Sequence, residues 1–187
     1  MTISVLDAKP ALVVIDLQKG IVGMPTAHPM AGVIRHCVAL VEAFRKHKWP
    51  VVLVNVDGVP PGRAERSFSL NQMPAGWTDL IAELNRQPSD HVVTKQTRGA
   101  FTRTDLEQYL RQAGVTQVIV VGVATSSGVE STARQAHELG FHVVLVTDAM
   151  TDTDADARHN SVVRIFPKMS ETGTTGQLFD LIAKRSA

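Results

Sequence analysis

QVIVVGVATSSGVESTARQAHELG, residues 117–140, passes from an apolar run through small and hydroxylated residues into helical spacing. Gln117 to Val123 reads as a strand, because an unbroken β-branched run belongs where both faces of a sheet are covered. From Gly128 to Leu139 the spacing is that of an amphipathic helix, and Gly140 is placed to end it. A strand that feeds a helix through a short turn is half of a parallel crossover unit.

The same rhythm recurs along the chain. ALVVID (11–16), VVLVNV (51–56), HVVTK (91–95) and HVVLVTDA (142–149) are further strands, and 168–171 is a weaker sixth. Helices are expected at 31–48, 78–86, 104–113, 154–166 and 175–184, with Thr104 as a start signal and Gly114 as a stop. Alternating strands and helices give an α/β fold of three layers with a mainly parallel sheet, and the absence of an evident linker makes 1–187 a single domain. Residues 57–77, rich in Gly, Pro and Ser and without periodicity, are expected to form a loop over the site.

Composition narrows the functions. With 44% hydrophobic and 20% charged residues, the chain can bury a core without disulfides or structural metal. Nineteen Lys and Arg oppose eighteen Asp and Glu, so no global field gathers nucleic acid or an anionic membrane. The single cysteine, Cys37, excludes an internal disulfide and fits a reducing compartment. The first eighteen residues lack a basic n-region and include Asp7, Lys9 and Asp16, which argues against a signal peptide, and no membrane span is visible. A cytoplasmic location is the expectation.

In an open parallel sheet, ligands gather beyond the carboxyl ends of the strands where strand order reverses. That rule selects Asp16, Lys95 and the turn 124–128. Taken singly, each has a plainer reading: Asp16 as a loop or capping acid, Lys95 as a solvated lysine, and Thr125, Ser126 or Ser127 as a helix cap. Together, an acid and an amine at one sheet edge shift each other's pKa values. First-turn N–H groups near Gly128, Val129 and Glu130 offer an anion cradle. Cys37 shares a helical face with Val33, Leu40, Val41 and Phe44 and reads as core. The seven histidines form no HExxH pattern. Asp152, Asp154 and Asp156 imitate a calcium loop, but Ala157 and Val163 stand where it needs glycine and glutamate, so they read as first-turn acids. Met24, Met73, Trp77 and Phe101 are candidates for a pocket or for the core.

ALVVIDLQ, KQTRGAF and GVATSSGVESTARQAHELG followed by VVLVTDA, in that order, resemble the isochorismatase-like hydrolase superfamily, which includes nicotinamidases and related cysteine hydrolases. The resemblance implies a six-stranded Rossmann-like sheet and a catalytic trio at Asp16, Lys95 and residue 128. It also implies substrate contacts from Gln18, Phe101, Ala124, Thr125, Ser127 and Val129, a cis peptide at Val123–Ala124, and a homodimer or larger homo-oligomer. In the strand order 3-2-1-4-5-6, Lys95 lies on an edge strand and must reach inward to meet Asp16.

Most such hydrolases carry a nucleophilic cysteine where this chain has Gly128. Isochorismatases themselves resemble this chain in having glycine there, and they cleave a vinyl ether without a covalent intermediate. That implies Asp16 as a general acid with a raised pKa, Lys95 as its partner and anchor for a substrate carboxylate, and Gly128 as a backbone contact. The metal run of nicotinamidases, DxHxxH, has no counterpart in DGVPPGRAERS from Asp57, so neither metal nor another cofactor is expected. The first expectation is thus a metal-independent hydrolase of a small carboxylated molecule. A binding protein that has lost turnover, and an amidohydrolase recruiting Ser126 or Ser127, are the alternatives.

Overall fold

The computed structural model describes residues 2–65 and 73–185. Six strands form one sheet: β1 (Pro10–Ile15), β2 (Val51–Val56), β3 (His91–Lys95), β4 (Gln117–Val123), β5 (His142–Thr151) and β6 (Glu171–Gly173). Their order is β3-β2-β1-β4-β5-β6, and every neighbouring pair is parallel. Order reverses between β1 and β4, whose residues are fully buried, so the switch point lies over the best-covered part of the sheet.

Alternate side chains of β1 serve opposite cores, as strand geometry requires. Leu12 and Val14 join Val33, Cys37, Leu40, Val41 and Phe44 of α2 (Met30–Lys46) and Leu178 and Ile182 of the C-terminal helix (Thr175–Arg185). On the other face Ala11, Val13 and Ile15 meet Leu106 and Leu110 of α3 (Leu106–Gln112), Ala133 and Ala136 of α4 (Glu130–Glu138), and Phe166. These faces make the three layers. Cys37 is core, its thiol donating to the Ala149 carbonyl at 3.4 Å. Burial pushes that thiol well above its ordinary value, with the Asp148 charge adding to the effect.

Several expected boundaries are corrected. The helix expected at 78–86 is a single 3-10 turn, Ala82–Leu84, because Leu80 runs extended to bridge Gln18 and Asn85 turns left-handed at φ 42°. The short helix α1 (Lys19–Val22) has no periodicity of its own and was not expected. The helix expected at 128–139 begins earlier, as a wide π-type turn over Thr125–Val129. The one expected at 154–166 is α5 (Ala155–Asn160) followed by a second wide turn, Ser161–Ile165. Its start is capped by Asp154, which accepts from the N–H groups of Asp156 and Ala157, and Asp156 lies in the first turn; Asp152 lies before the helix and is bonded to Ser126 instead, which corrects its reading as a first-turn acid. Strand β6 lies at Glu171–Gly173 instead of 168–171, since Lys168 ends a 3-10 turn. Gly114 and Gly140 take left-handed conformations beyond α3 and α4, where stops were expected.

Candidate active site

Asp16 ends β1 with φ 52°, in the left-handed region that aspartate tolerates better than most residues. The turn diverts the chain just as it leaves the sheet, and a hydrogen bond from the Asp16 N–H to the Val54 carbonyl (2.9 Å) ties it to β2. Lys95 ends β3, on the far side of β2. Its long side chain spans that gap, and Nζ donates to Asp16 Oδ2 at 2.8 Å. Both side chains are nearly inaccessible, at 2% exposed for Lys95 and 7% for Asp16.

Burial in this setting holds the Asp16 carboxyl up at about 6 from an ordinary 3.8, and the Lys95 charge and hydrogen bond pull the other way. The second oxygen, Oδ1, is buried and has no hydrogen-bond partner among the described residues. One oxygen is therefore fixed by an ammonium while the other is buried without a partner among the described residues.

Gly128 closes in from β4. A Cβ built on it would lie 3.2 Å from Asp16 Oδ2 and 2.9 Å from Ile15 Cγ2. The second distance is too short, and Ile15 is a buried strand residue with little room to retreat. A side chain at 128 would thus compete with the carboxylate for its place. The Val123–Ala124 peptide that leads into this turn is cis.

A cavity of about 750 Å³ opens over these residues. Asp16, Lys95, Gly128, Ala124, Ser126 and Ser127 line it, with Ile21, Met24, Val56 and Trp77 as an apolar wall. Gly58 to Pro60 and Gly62 to Ala64, from the loop expected at 57–77, line it too; residues 66–72 of that loop lie outside the described residues. Arg63 and Arg98 add guanidinium groups, and Asp152 and Asp154 line it as well.

Other residues expected to touch substrate are placed elsewhere. Gln18 is wholly buried: its carbonyl accepts from the Val56 N–H (2.8 Å) and its NH₂ donates to the carbonyls of Val56 (3.1 Å) and Trp77 (3.3 Å). It braces the cavity wall and does not face the cavity. Thr125 is buried and donates to the Thr151 carbonyl at 3.1 Å, while Val129 packs into the core. Phe101 packs against Phe141, because its N–H and that of Ala100 bond to Gln135 and Thr132 of α4. Met73 is likewise absent from the lining.

The anticipated backbone cradle is also changed. In the wide turn the Val129 N–H donates to the Ala124 carbonyl, and the Glu130 N–H is shared between Thr125 and Ser127 carbonyls. Those donors are engaged before any ligand arrives. Asp152, read from the sequence as a first-turn acid, belongs to the site instead. With β5 carried to Thr151 instead of 149, Asp152 falls at a strand's carboxyl end, and the rule that selected Asp16 and Lys95 selects it as well.

The family model described as the isochorismatase domain matches residues 10–177. An isochorismatase family protein of Bacillus subtilis is 38% identical over 97% of this chain and 98% of its own length. Nicotinamidase 3 of Arabidopsis thaliana is 33% identical over 74% of this chain and 71% of its own. Among solved structures, an isochorismatase family protein from Burkholderia thailandensis superposes with a TM-score of 0.91 at 35% identity, covering 96% of this chain and 98% of that one.

Proposed function

The chain belongs to the isochorismatase family of hydrolases, and from that premise we propose that it hydrolyses a small carboxylated enol ether by acid catalysis, with no side chain of the enzyme becoming covalently attached. The observation that carries this reading is the unequal treatment of the Asp16 oxygens. Lys95 holds Oδ2, Oδ1 is unpartnered, and the carboxyl titrates near 6, so a proton is available at the cavity wall close to neutrality.

Asp16 transfers that proton to the methylene carbon of the ether. The π pair becomes the new C–H bond, and positive charge is shared between the ether carbon and its oxygen. Lys95, already at 2.8 Å from Asp16, stabilises the carboxylate that is left and has further N–H donors for a substrate carboxylate. Water then adds to the cationic carbon, and the hemiketal collapses to a ketone and an alcohol. Gly128 keeps the space beside Asp16 clear.

A thiol mechanism has no group to use here, since Cys37 is buried in the core under α2. The hydroxyl of Ser126 is bonded to Asp152 at 2.8 Å and has no imidazole beside it among the described residues, which weakens the serine route to amide hydrolysis. Asp57, Gly58, Val59 and Pro60 after β2 supply a single carboxylate, and no group of three or more His, Cys, Asp or Glu among the described residues is arranged to hold an ion. The described residues do not fit a catalytic metal.

The test offers purified protein isochorismate and, in parallel, simple amides. Pyruvate release from isochorismate, with no amide cleavage and no mass increment on the protein, is the expected result. Metabolite binding without turnover would replace the reading with that of a binding protein. Acylation of Ser126 or Ser127 by a reactive probe would replace it with an amidohydrolase.

A further inference from the structure

Proton donation by Asp16 leaves the second half of the reaction unserved: the attacking water must lose a proton, and Asp16 sits on one side of the cavity only. Ser126 and Asp152 line the same cavity as Asp16. Asp152 is 3% exposed, and its carboxylate accepts from the Ser126 N–H at 2.7 Å and hydroxyl at 2.8 Å on Oδ2 and from the Asp154 N–H at 3.3 Å on Oδ1. The Ser126 proton is therefore directed at the carboxylate, which turns the lone pairs of its oxygen toward other donors.

The sheet sets the separation. Strands β1 and β5 flank β4, with Ile15 paired to Gly122 and Val123 to Thr151, so Asp16 and Asp152 leave the sheet two strand spacings apart. That is about 10 Å between backbones. Hydrolases that place a proton donor and a water activator on opposite sides of a bond use separations of roughly 6.5–9.5 Å between carboxyl groups.

We infer that Ser126 holds the attacking water and passes its proton to Asp152, so that Asp16 and the Ser126–Asp152 pair act on opposite faces of the same enol ether. The inference rests on the acid-catalysed reading above. Once Asp16 has protonated the methylene carbon, a water lone pair forms the new C–O bond. One water proton moves to Ser126 Oγ as the serine proton moves to Asp152 Oδ2. The hemiketal then loses its ether C–O bond, its hydroxyl proton leaves with the alcohol oxygen, and solvent restores the proton of Asp16 and removes that of Asp152. Ser126 is catalytic in this scheme because it touches the reacting water. Asp152 acts through it.

Deuterium separates this role from a merely structural one. If water capture is slowed while protonation is not, the cation returns to substrate by losing a proton, and substrate recovered from D₂O carries deuterium at its methylene carbon. With isochorismate as the probe, Ser126→Ala and Asp152→Asn are expected to lower kcat about 100-fold, a typical acid–base contribution, with KM little changed. Both should raise the ratio of exchange to hydrolysis well above that of the unsubstituted enzyme, and Ser126→Thr, which keeps a hydroxyl, should restore it. Equal slowing of exchange and hydrolysis, or full activity in Ser126→Ala, overturns the inference and leaves Asp16 in its role. Exchange or hydrolysis that survives in Asp16→Asn, or no turnover by the unsubstituted protein, overturns both.

Discussion

Two acid–base pairs, one half-buried and one buried, lie at opposite ends of the sheet, and they are finished differently. At the amino end of β3, Asp90 accepts from Arg45 on both oxygens and from the Gln87 N–H on Oδ2, while Arg45 also donates to the Leu84 carbonyl. At the carboxyl end of β1, Asp16 accepts from Lys95 on one oxygen and from nothing among the described residues on the other. A planar guanidinium saturates its partner; a lysine, a point charge on a flexible stem, does not. The first pair fastens Leu84 and the 87–90 turn to α2. The second leaves one carboxyl oxygen unpartnered in a residue that lines a cavity.

Substitution should pull the pairs apart. Asp16→Asn is expected to reduce kcat/KM for isochorismate by at least about 1,000-fold, because it removes the proton donor. Steady-state kinetics on the purified variant checks it, and near-normal turnover would break the contrast. Asp90→Ala should do the reverse. It strands the Arg45 charge and is expected to cost about 3 kcal/mol of stability in denaturant unfolding, while kcat of the folded enzyme stays within twofold.

Smaller effects sharpen the comparison. Gly128→Ala puts a methyl against Ile15 and beside Asp16 Oδ2, and a stability loss of about 1–3 kcal/mol is expected from the overpacking. Its loss of activity should be tenfold or more, and thermal melts read beside kinetics separate the two. Smallest is Cys37→Ala, which trims a core thiol. It should cost roughly 1–2 kcal/mol and leave turnover unchanged, and thiol reagents should not inhibit the native enzyme.

The fold was legible because its signals are local and strong. Uninterrupted β-branched runs gave five strands, and Gly114 and Gly140 marked helix ends. The weaker elements were misjudged where tertiary bonds override spacing. The helix expected at 78–86 gives way to a bridge with Gln18, and Asp152 was read as a helix-start acid because β5 continues past Ala149 to pair Thr151 with Val123. At the site, the strand-end rule placed Asp16, Lys95 and Gly128 together, and the structure brings their groups into contact. The contacts transferred by resemblance fared less well. Thr125 and Val129 are adjacent in sequence to lining residues, but the wide turn carries their side chains into a backbone bond and the core, while Gln18 and Phe101 are held away by bonds to Val56 and packing on Phe141.

The pH dependence of kcat/KM for isochorismate tests the account most directly, because it reports the ionisation of the free enzyme's essential groups. Burial raises the Asp16 carboxyl to about 6, and a general acid works only while protonated. Between pH 5 and 8 the expected profile is therefore level below about 6 and falls tenfold per unit above it. A profile that climbs with pH through the same range would mean that ionised Asp16 is the working form, and would contradict proton donation as the central step.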